Sequence, residues 1–474
     1  MSLAKKADYH ELIARKAVSF EPRGLKKVPK LNAALFDHQR HSTEFALRAG
    51  CSALFLDTGL GKSFCALEWG RVIVEHTNKP VLMLAPLAVG PQHQREADKF
   101  GIDAKYVREP HEIKGAGIWI TNYERLDKFD AGMFAGVILD ESSILKSFTG
   151  ATTRELISQF ARTPYRMACT ATPAPNDHME LGQHSQFLGV MDSNEMLARW
   201  FIADQTNMGK YRLKRAAVGP FWDWVASWAR CVAKPSDLGY VDDGFDLPEM
   251  VMHKHIVEAD RSMDAGEERD GQARLLRMPE TSATSIHREK RLTIAARADE
   301  IAAAVAAEPD EPWIIWCDTD YEADELTNRI PGAMEVRGSM KAEVKEERLV
   351  AFSTGQSRVI VTKPSIAGFG LNWQHCARQA FVGLSFSYES FYQAIRRSYR
   401  FGQQRPVHIH VAMADTEKAI WDVVSRKSGD HETMKNAMRA AMKRAMAKSK
   451  VYDDYKPTKR LAIPAWVKPW SQTI

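Results

Sequence analysis

Two arginines three apart, Arg397 and Arg400, stand in the stretch QAIRRSYRFGQ with no acid among them, and a glycine-rich stretch far upstream, LFLDTGLGKS, ends in Lys62 and Ser63. Glycines at 59 and 61 let backbone N–H groups turn toward a phosphate, Lys62 can reach β- and γ-phosphates, and the Ser63 hydroxyl can ligate Mg2+. The whole turn, Thr58, Gly59, Leu60, Gly61, Lys62 and Ser63, is therefore the expected nucleotide cradle. Further on, the apolar run GVILDESS ends in Asp140 and Glu141. One carboxylate there can hold Mg2+ through water and the other can orient an attacking water, which hydrolysis requires and mere binding does not.

Smaller signals surround these. LFDHQ ends in Gln39, whose amide can donate and accept at an adenine edge, with Phe36 available to cover the base. Thr170 and Thr172 in CTATPAPN lie at a strand end, where hydroxyls could bridge the nucleotide site to a moving partner; a turn rich in threonine and proline is the plain alternative. A phosphate loop also needs a cation for charge developing on the γ-phosphate, and the first half of the chain offers only Lys62. Arg397 and Arg400 share one face of the expected helix YESFYQAIRRSYR, and become arginine fingers in cis if their domain docks on the first. A solvated basic helix would explain the charge but not the Gly402 and Gln403 that follow.

Such groups need rigid strand ends to hold them. Short apolar runs (SALFL, VLMLAP, GIWITN, GVILDE, RMACTATP) alternate with amphipathic stretches between Ser52 and Thr172, and a second series (PWIIWCD, AMEVRG, RVIVTK, QAFVGLS, VHIHVAM) begins at Pro312. This pattern reads as two parallel-sheet α/β domains. The expected division is an N-terminal helical arm over 1–34, a first lobe over 35–190, a helical insertion and linker over 191–308, a second lobe over 309–426, and a basic helix with an extended tail over 427–474. In the insertion, Phe221, Trp224, Val225 and Trp228 fall at helical spacing and read as core; Met434, Met438, Met442 and Met446 read as a stripe laid on the body of the protein.

Composition narrows the classes. The chain has 474 residues, 45% hydrophobic and 26% charged, and no apolar run long enough to span a membrane. Six cysteines stand far apart without a C-x-x-C pair, against structural zinc and against a disulfide framework. With no apolar leader near Met1, a reducing cytoplasm, prokaryotic or phage-infected, is the expected location. The net charge of +5 is uneven, with eleven basic and four acidic residues between Lys427 and Ile474, so a polyanion partner or a solvated basic tail is expected there.

In order along the chain, DTGLGKS, LAPLAV, ITNYERL, ILDESSILK, TATPAPN, PSIAGFGLN and QAIRRSYRFGQ resemble the motifs of superfamily-two helicases. They are most similar to Swi/Snf-type DNA translocases, and especially to the compact versions carried by phages and mobile elements. The resemblance runs from about Leu35 to Met413; the phosphate loop carries Leu56 where the family has alanine. It implies two RecA-like lobes with ATP and Mg2+ between them. It also implies adenine reading by Gln39; phosphate and metal contacts at Lys62, Ser63 and Asp140; catalytic base Glu141; coupling residues Gly370 and Asn372; and an arginine motif holding Gln393, Arg397 and Arg400. Pro86, Thr121, Asn122, Tyr123, Arg337 and Lys363 match segments that touch the nucleic-acid backbone. Ser142 and Ser143 replace the usual Ala-His, and Tyr399 the usual histidine, which puts the efficiency of coupling in question. The expected protein is an ATP-dependent motor on duplex or branched DNA, a monomer, with RNA second as a partner. A strand-separating helicase on forks or RNA and a nucleotide-gated clamp without turnover are the alternatives.

Overall fold

A computed structural model describes residues 20–86, 89–147, 150–203, 211–259, 283–368 and 371–448. The extended tail, most of the N-terminal arm and Gly370 lie outside these. Residues 20–34 carry no helix, but bury Phe20, Leu25 and Leu31 in the first core.

The expected apolar runs become strands, joined by pairings that are all parallel. The first sheet comprises β1 (Cys51–Leu56), β2 (Val81–Ala85), β3 (Ala104–Tyr106), β4 (Ile118–Asn122), β5 (Gly136–Asp140) and β6 (Tyr165–Cys169), in the order β3-β4-β2-β5-β6-β1. β1, β2, β4 and β5 are buried along their full lengths, because helices cover both faces of a parallel sheet. The chain leaves β1 and returns at β2 by passing β6 and β5, so the loops after β1, β5 and β6 open into one crevice, where ligands of such sheets bind.

The stretch expected to be a helical insertion serves both sheets. A small antiparallel pair, β7 (Phe201–Ala203) and β8 (Tyr211–Leu213), is followed by the aromatic helix Val218–Trp228, whose Phe221, Trp224, Val225 and Trp228 are all buried. The next residues form β9 (Ala229–Val232), which pairs with β1 and completes the first sheet at seven strands. Then β10 (Met250–Val257) pairs with β15 (Val407–Ala414) at the edge of the second sheet. That six-stranded sheet, ordered β10-β15-β14-β11-β13-β12, also holds β11 (Trp313–Trp316), β12 (Met334–Val336), β13 (Val359–Thr362) and β14 (Arg378–Phe381). The result is two parallel α/β sheets. No helix among the described residues is long and apolar enough to cross a membrane.

A 31-residue helix, Lys418–Lys448, about 46 Å long, joins the two bodies. Its start contributes Ile420 and Val424 to the second lobe's core, while Met434, Met438 and Met442 enter the first lobe's core. Its cations are largely paired: Arg439 with Asp237 at 2.7 Å, Lys443 with Asp237 at 3.2 Å and Arg444 with Asp223 at 2.6 Å. With Lys435 on Asp57, four of the eleven basic residues counted from Lys427 onward are thus met by acids inside the chain, and those beyond 448 lie outside the described residues.

Where β10 meets β15, four histidines stack. His253 and His408 approach to 2.9 Å, His255 and His410 to 3.0 Å, and Trp313 leans on His410. Burial, reinforced by the neighbouring rings, pushes His410 down to about 3. The unfolded chain binds a proton on that ring from about 6.5 downward, so stability must fall as pH drops through 6.5. His410→Phe, which keeps a ring but binds no proton, should lose less melting temperature than the natural chain between pH 7.5 and pH 5.5, as scanning calorimetry would show.

Candidate active site

β1 delivers the phosphate loop. Asp57 N donates to the Val232 carbonyl at 2.9 Å and Leu60 N to that of Asp57 at 3.2 Å, closing a tight turn. Gly59 (φ 94°) and Gly61 (φ 81°) take left-handed backbone that other residues enter at a cost of about 1 kcal/mol, and the helix Lys62–Thr77 starts at once. Its first N–H groups have no intrahelical partners and face the crevice as anion donors. Lys62 Nζ donates to the Leu56 carbonyl at 2.8 Å. Burial lowers its pKa, and Glu141, Asp57 and Asp140 work to hold its charge. Thr58 and Ser63 are half-buried.

Gln39 lies against this loop: its Nε2 donates to the Leu60 carbonyl at 3.1 Å, and its Oε1 accepts from Phe36 N at 3.0 Å. Both atoms of the amide expected at an adenine edge are therefore occupied by the protein. Phe36, 52% exposed, stands edge-on to Phe245 at 5.7 Å and Phe401 at 6.5 Å, an aromatic rim beside the loop.

At the end of β5, Asp140 Oδ2 meets His93 Nε2 at 2.8 Å. Burial opposes charge on that ring, but Asp140 and Glu96 raise it to about 10, which favours its protonated form. Glu141 follows in left-handed backbone (φ 52°), one of two non-glycine residues with positive φ among those described. Such a conformation persists where the surroundings enforce it, commonly at functional sites. Burial and Asp140 raise its carboxyl to about 6 while Lys62 and Arg397 restrain it. That leaves it ionised near neutral pH yet basic enough to accept a proton. Thr170 Oγ1 donates to Glu141 Oε2 at 3.3 Å and accepts from Thr172 N at 3.0 Å. Ala171, between the two threonines, packs into the second lobe's core.

The second lobe reaches the same carboxylate. Gln393 Nε2 lies 3.5 Å from Glu141 Oε2, and Arg397 Nη2 donates to Gln393 Oε1 at 3.3 Å. The helix expected to carry both arginines ends at Ile395, leaving Arg397 and Arg400 in the turn beyond it. They converge all the same, each donating to the Leu371 carbonyl at 3.2 Å. Arg400 Nε is buried without a partner, a donor available to an incoming acceptor. Phe401 follows and abuts the phosphate loop: a Cβ on Gly59 would stand 2.7 Å from Phe401 Cβ and N. Asn372 is exposed, and Gly370 is outside the described residues.

The nucleic-acid expectations fare differently. Thr121 and Asn122 are fully buried, with Thr121 Oγ1 bonded to the Val107 carbonyl at 2.9 Å and Asn122 Nδ2 to Tyr106 Oη at 2.9 Å. Tyr123 is buried too and donates to the Asp140 carbonyl at 2.7 Å. Tyr123 thereby braces the acid pair, while Thr121 and Asn122 are spent on Val107 and Tyr106, and none of the three presents its side chain to a polynucleotide here. Arg337 is paired with Glu335 at 2.6 Å and with Asp324, and Lys363 with Asp320 at 2.9 Å; Pro86 is half-buried.

Three site residues carried no sequence signal strong enough to single out. His93 lies on the helix Gly90–Lys99, just past the quoted LAPLAV but outside it, while Asp57 and Tyr392 sit inside quoted stretches without an assigned role. The donor set fits a magnesium nucleotide. Glycine-shaped backbone, a half-buried lysine and two converging guanidiniums suit a polyphosphate; the Ser63 hydroxyl and the Asp140 carboxylate are hard oxygen donors of the kind Mg2+ prefers.

Residues 296–402, which hold β11 to β14 and the arginine turn, match the helicase conserved C-terminal domain. No curated protein matches the chain. The SWI2/SNF2 ATPase core of Sulfolobus solfataricus in complex with dsDNA is similar over 90% of this chain and 97% of that one, with 17% sequence identity and a TM-score of 0.42.

Gly59→Ala should prevent Phe401 from seating on the loop. ATP turnover is expected to drop about tenfold or more with the far-UV circular dichroism unchanged; a steady-state ATPase assay decides.

Proposed function

We propose that the chain is a DNA-dependent ATPase that translocates on duplex or branched DNA and hydrolyses ATP between its two lobes. The observation that carries this reading is the convergence on Glu141: the phosphate loop and Thr170 approach it from one sheet, Gln393 and Arg397 from the other. A site assembled from two bodies turns over only when they close, which ties hydrolysis to motion.

In this mechanism the loop N–H groups and Lys62 bind the triphosphate, and Phe36 covers the base. When bound through Ser63 and Asp140, Mg2+ supplies charge neutralisation on the β- and γ-phosphates. Glu141, held by Thr170 and Gln393, orients the attacking water and takes its proton. Arg397 and Arg400 leave the Leu371 carbonyl for the phosphate that is leaving. Breaking the contacts from Gln393 to Glu141 and from Phe401 to Gly59 then frees the second lobe to move along the DNA. The choice of DNA rests on the ordered motif set and on the helicase domain match over residues 296–402. Backbone contacts would make binding steeply salt-dependent with little sequence preference.

ATP hydrolysis measured with duplex, forked, gapped and four-way DNA, and with RNA as control, tests the assignment. DNA should stimulate turnover. Glu141→Gln and Arg397→Ala should each cut kcat by about a hundredfold or more, with Glu141→Gln still binding ATP. Turnover indifferent to every DNA would refute the motor, and full turnover in both variants would refute the site.

A further inference from the structure

Asp57 belongs to the phosphate loop but points away from any substrate role. It is buried, and Lys435 of the C-terminal helix grips both carboxylate oxygens at 2.6 Å. Tyr392 Oη donates to Oδ1 at 2.9 Å, and Arg396 Nη2 stands 3.9 Å from Oδ2. Tyr392 is the residue before Gln393, so neighbouring side chains on one turn of helix reach the loop acid and Glu141. Asp57 is thus a junction of three elements: loop, arginine helix and C-terminal helix.

A buried carboxylate two residues from Gly59 poses an electrostatic problem for a site that must accept a polyanion. Uncompensated, it repels the phosphates and competes with them for Lys62, over whose ammonium its field extends. Lys435, itself 4% exposed, cancels that charge at ion-pair distance. We propose that Lys435 is a positioning residue of the nucleotide site, one that makes the phosphate loop competent for an anion by neutralising Asp57, so that the C-terminal helix is an integral part of the ATPase. This rests on the reading of the loop as an ATP site. Lys435 acts through Asp57 and touches no substrate, and its loss falls on nucleotide affinity more than on the chemical step.

The test uses the full chain and MgADP binding by calorimetry, with ATPase kinetics and thermal melts alongside. Lys435→Met should weaken MgADP and raise the KM for ATP about tenfold, with a smaller change in kcat. Lys435→Arg, which keeps the charge, should stay within about threefold of the natural chain. The neutral double variant Asp57→Asn with Lys435→Met should return to within about threefold as well, a rescue that loss of packing alone would not give. The inference is overturned by Lys435→Met binding MgADP like the natural chain. It is equally overturned by a double variant that melts normally yet binds tenfold more weakly, a comparison that holds even where Lys435→Met alone does not fold. A natural chain that binds no nucleotide would instead sink the ATP-site reading beneath it.

Discussion

Drawing the half-buried Glu141 carboxylate away from water requires compensation, and both sheets supply it. A carboxylate moved out of water is tolerated where hydrogen-bond donors and cations surround it. The first lobe offers Thr170 and Lys62; the second adds the Gln393 amide and the nearby Arg397 charge. Bringing the sheets together satisfies the acid, and separating them returns it to water. Lys146 pairs with Glu389 across the same divide, and Lys427 spans Asn176 of the first lobe and the Phe386 carbonyl of the second at 2.8 and 3.2 Å. Polar contacts thus stand beside apolar ones, Ala171 in the second lobe's core and Phe401 against the aromatic rim, where the two lobes meet.

The C-terminal helix changes what the charge distribution means. Read as composition, its lysines and arginines suggest an arm for a polyanion. Packed, Lys435, Arg439, Lys443 and Arg444 face acids of the first lobe, and the methionine stripe fills that lobe's hydrophobic core. A basic run with a regular apolar stripe reports first on what the helix lies against.

The two sheets were legible because strands covered on both faces are written as plain apolar runs, as in VLMLA and WIIW. The pieces that escaped notice lack that signature. β9 follows the tryptophan helix with no turn residue to announce it, and β10 alternates histidine and lysine because it is an edge strand with one face open. In the site, glycine turns and strand-end acids are local patterns, so Lys62, Asp140 and Glu141 could be named from spacing. His93 and Lys435 could not, since each matters only through a partner 47 or 378 positions away. The helix drawn through Arg397 ran too far because nothing in IRRSYR breaks a helical pattern before Gly402. Thr121 to Tyr123 were assigned by motif order, which identifies the segment but not the side on which its side chains point.

Among the described residues the chain passes between the lobes twice, once through residues 233–249 and once along the long helix that begins in the second core and ends in the first. Two bodies strapped at two points keep little freedom to drift apart or spin about a single tether. If the proposed motor opens its cleft in each turnover, the paired straps favour a swing about the line joining them, like a door on a pair of pins, and narrow the paths by which the arginine turn can leave its seat and return.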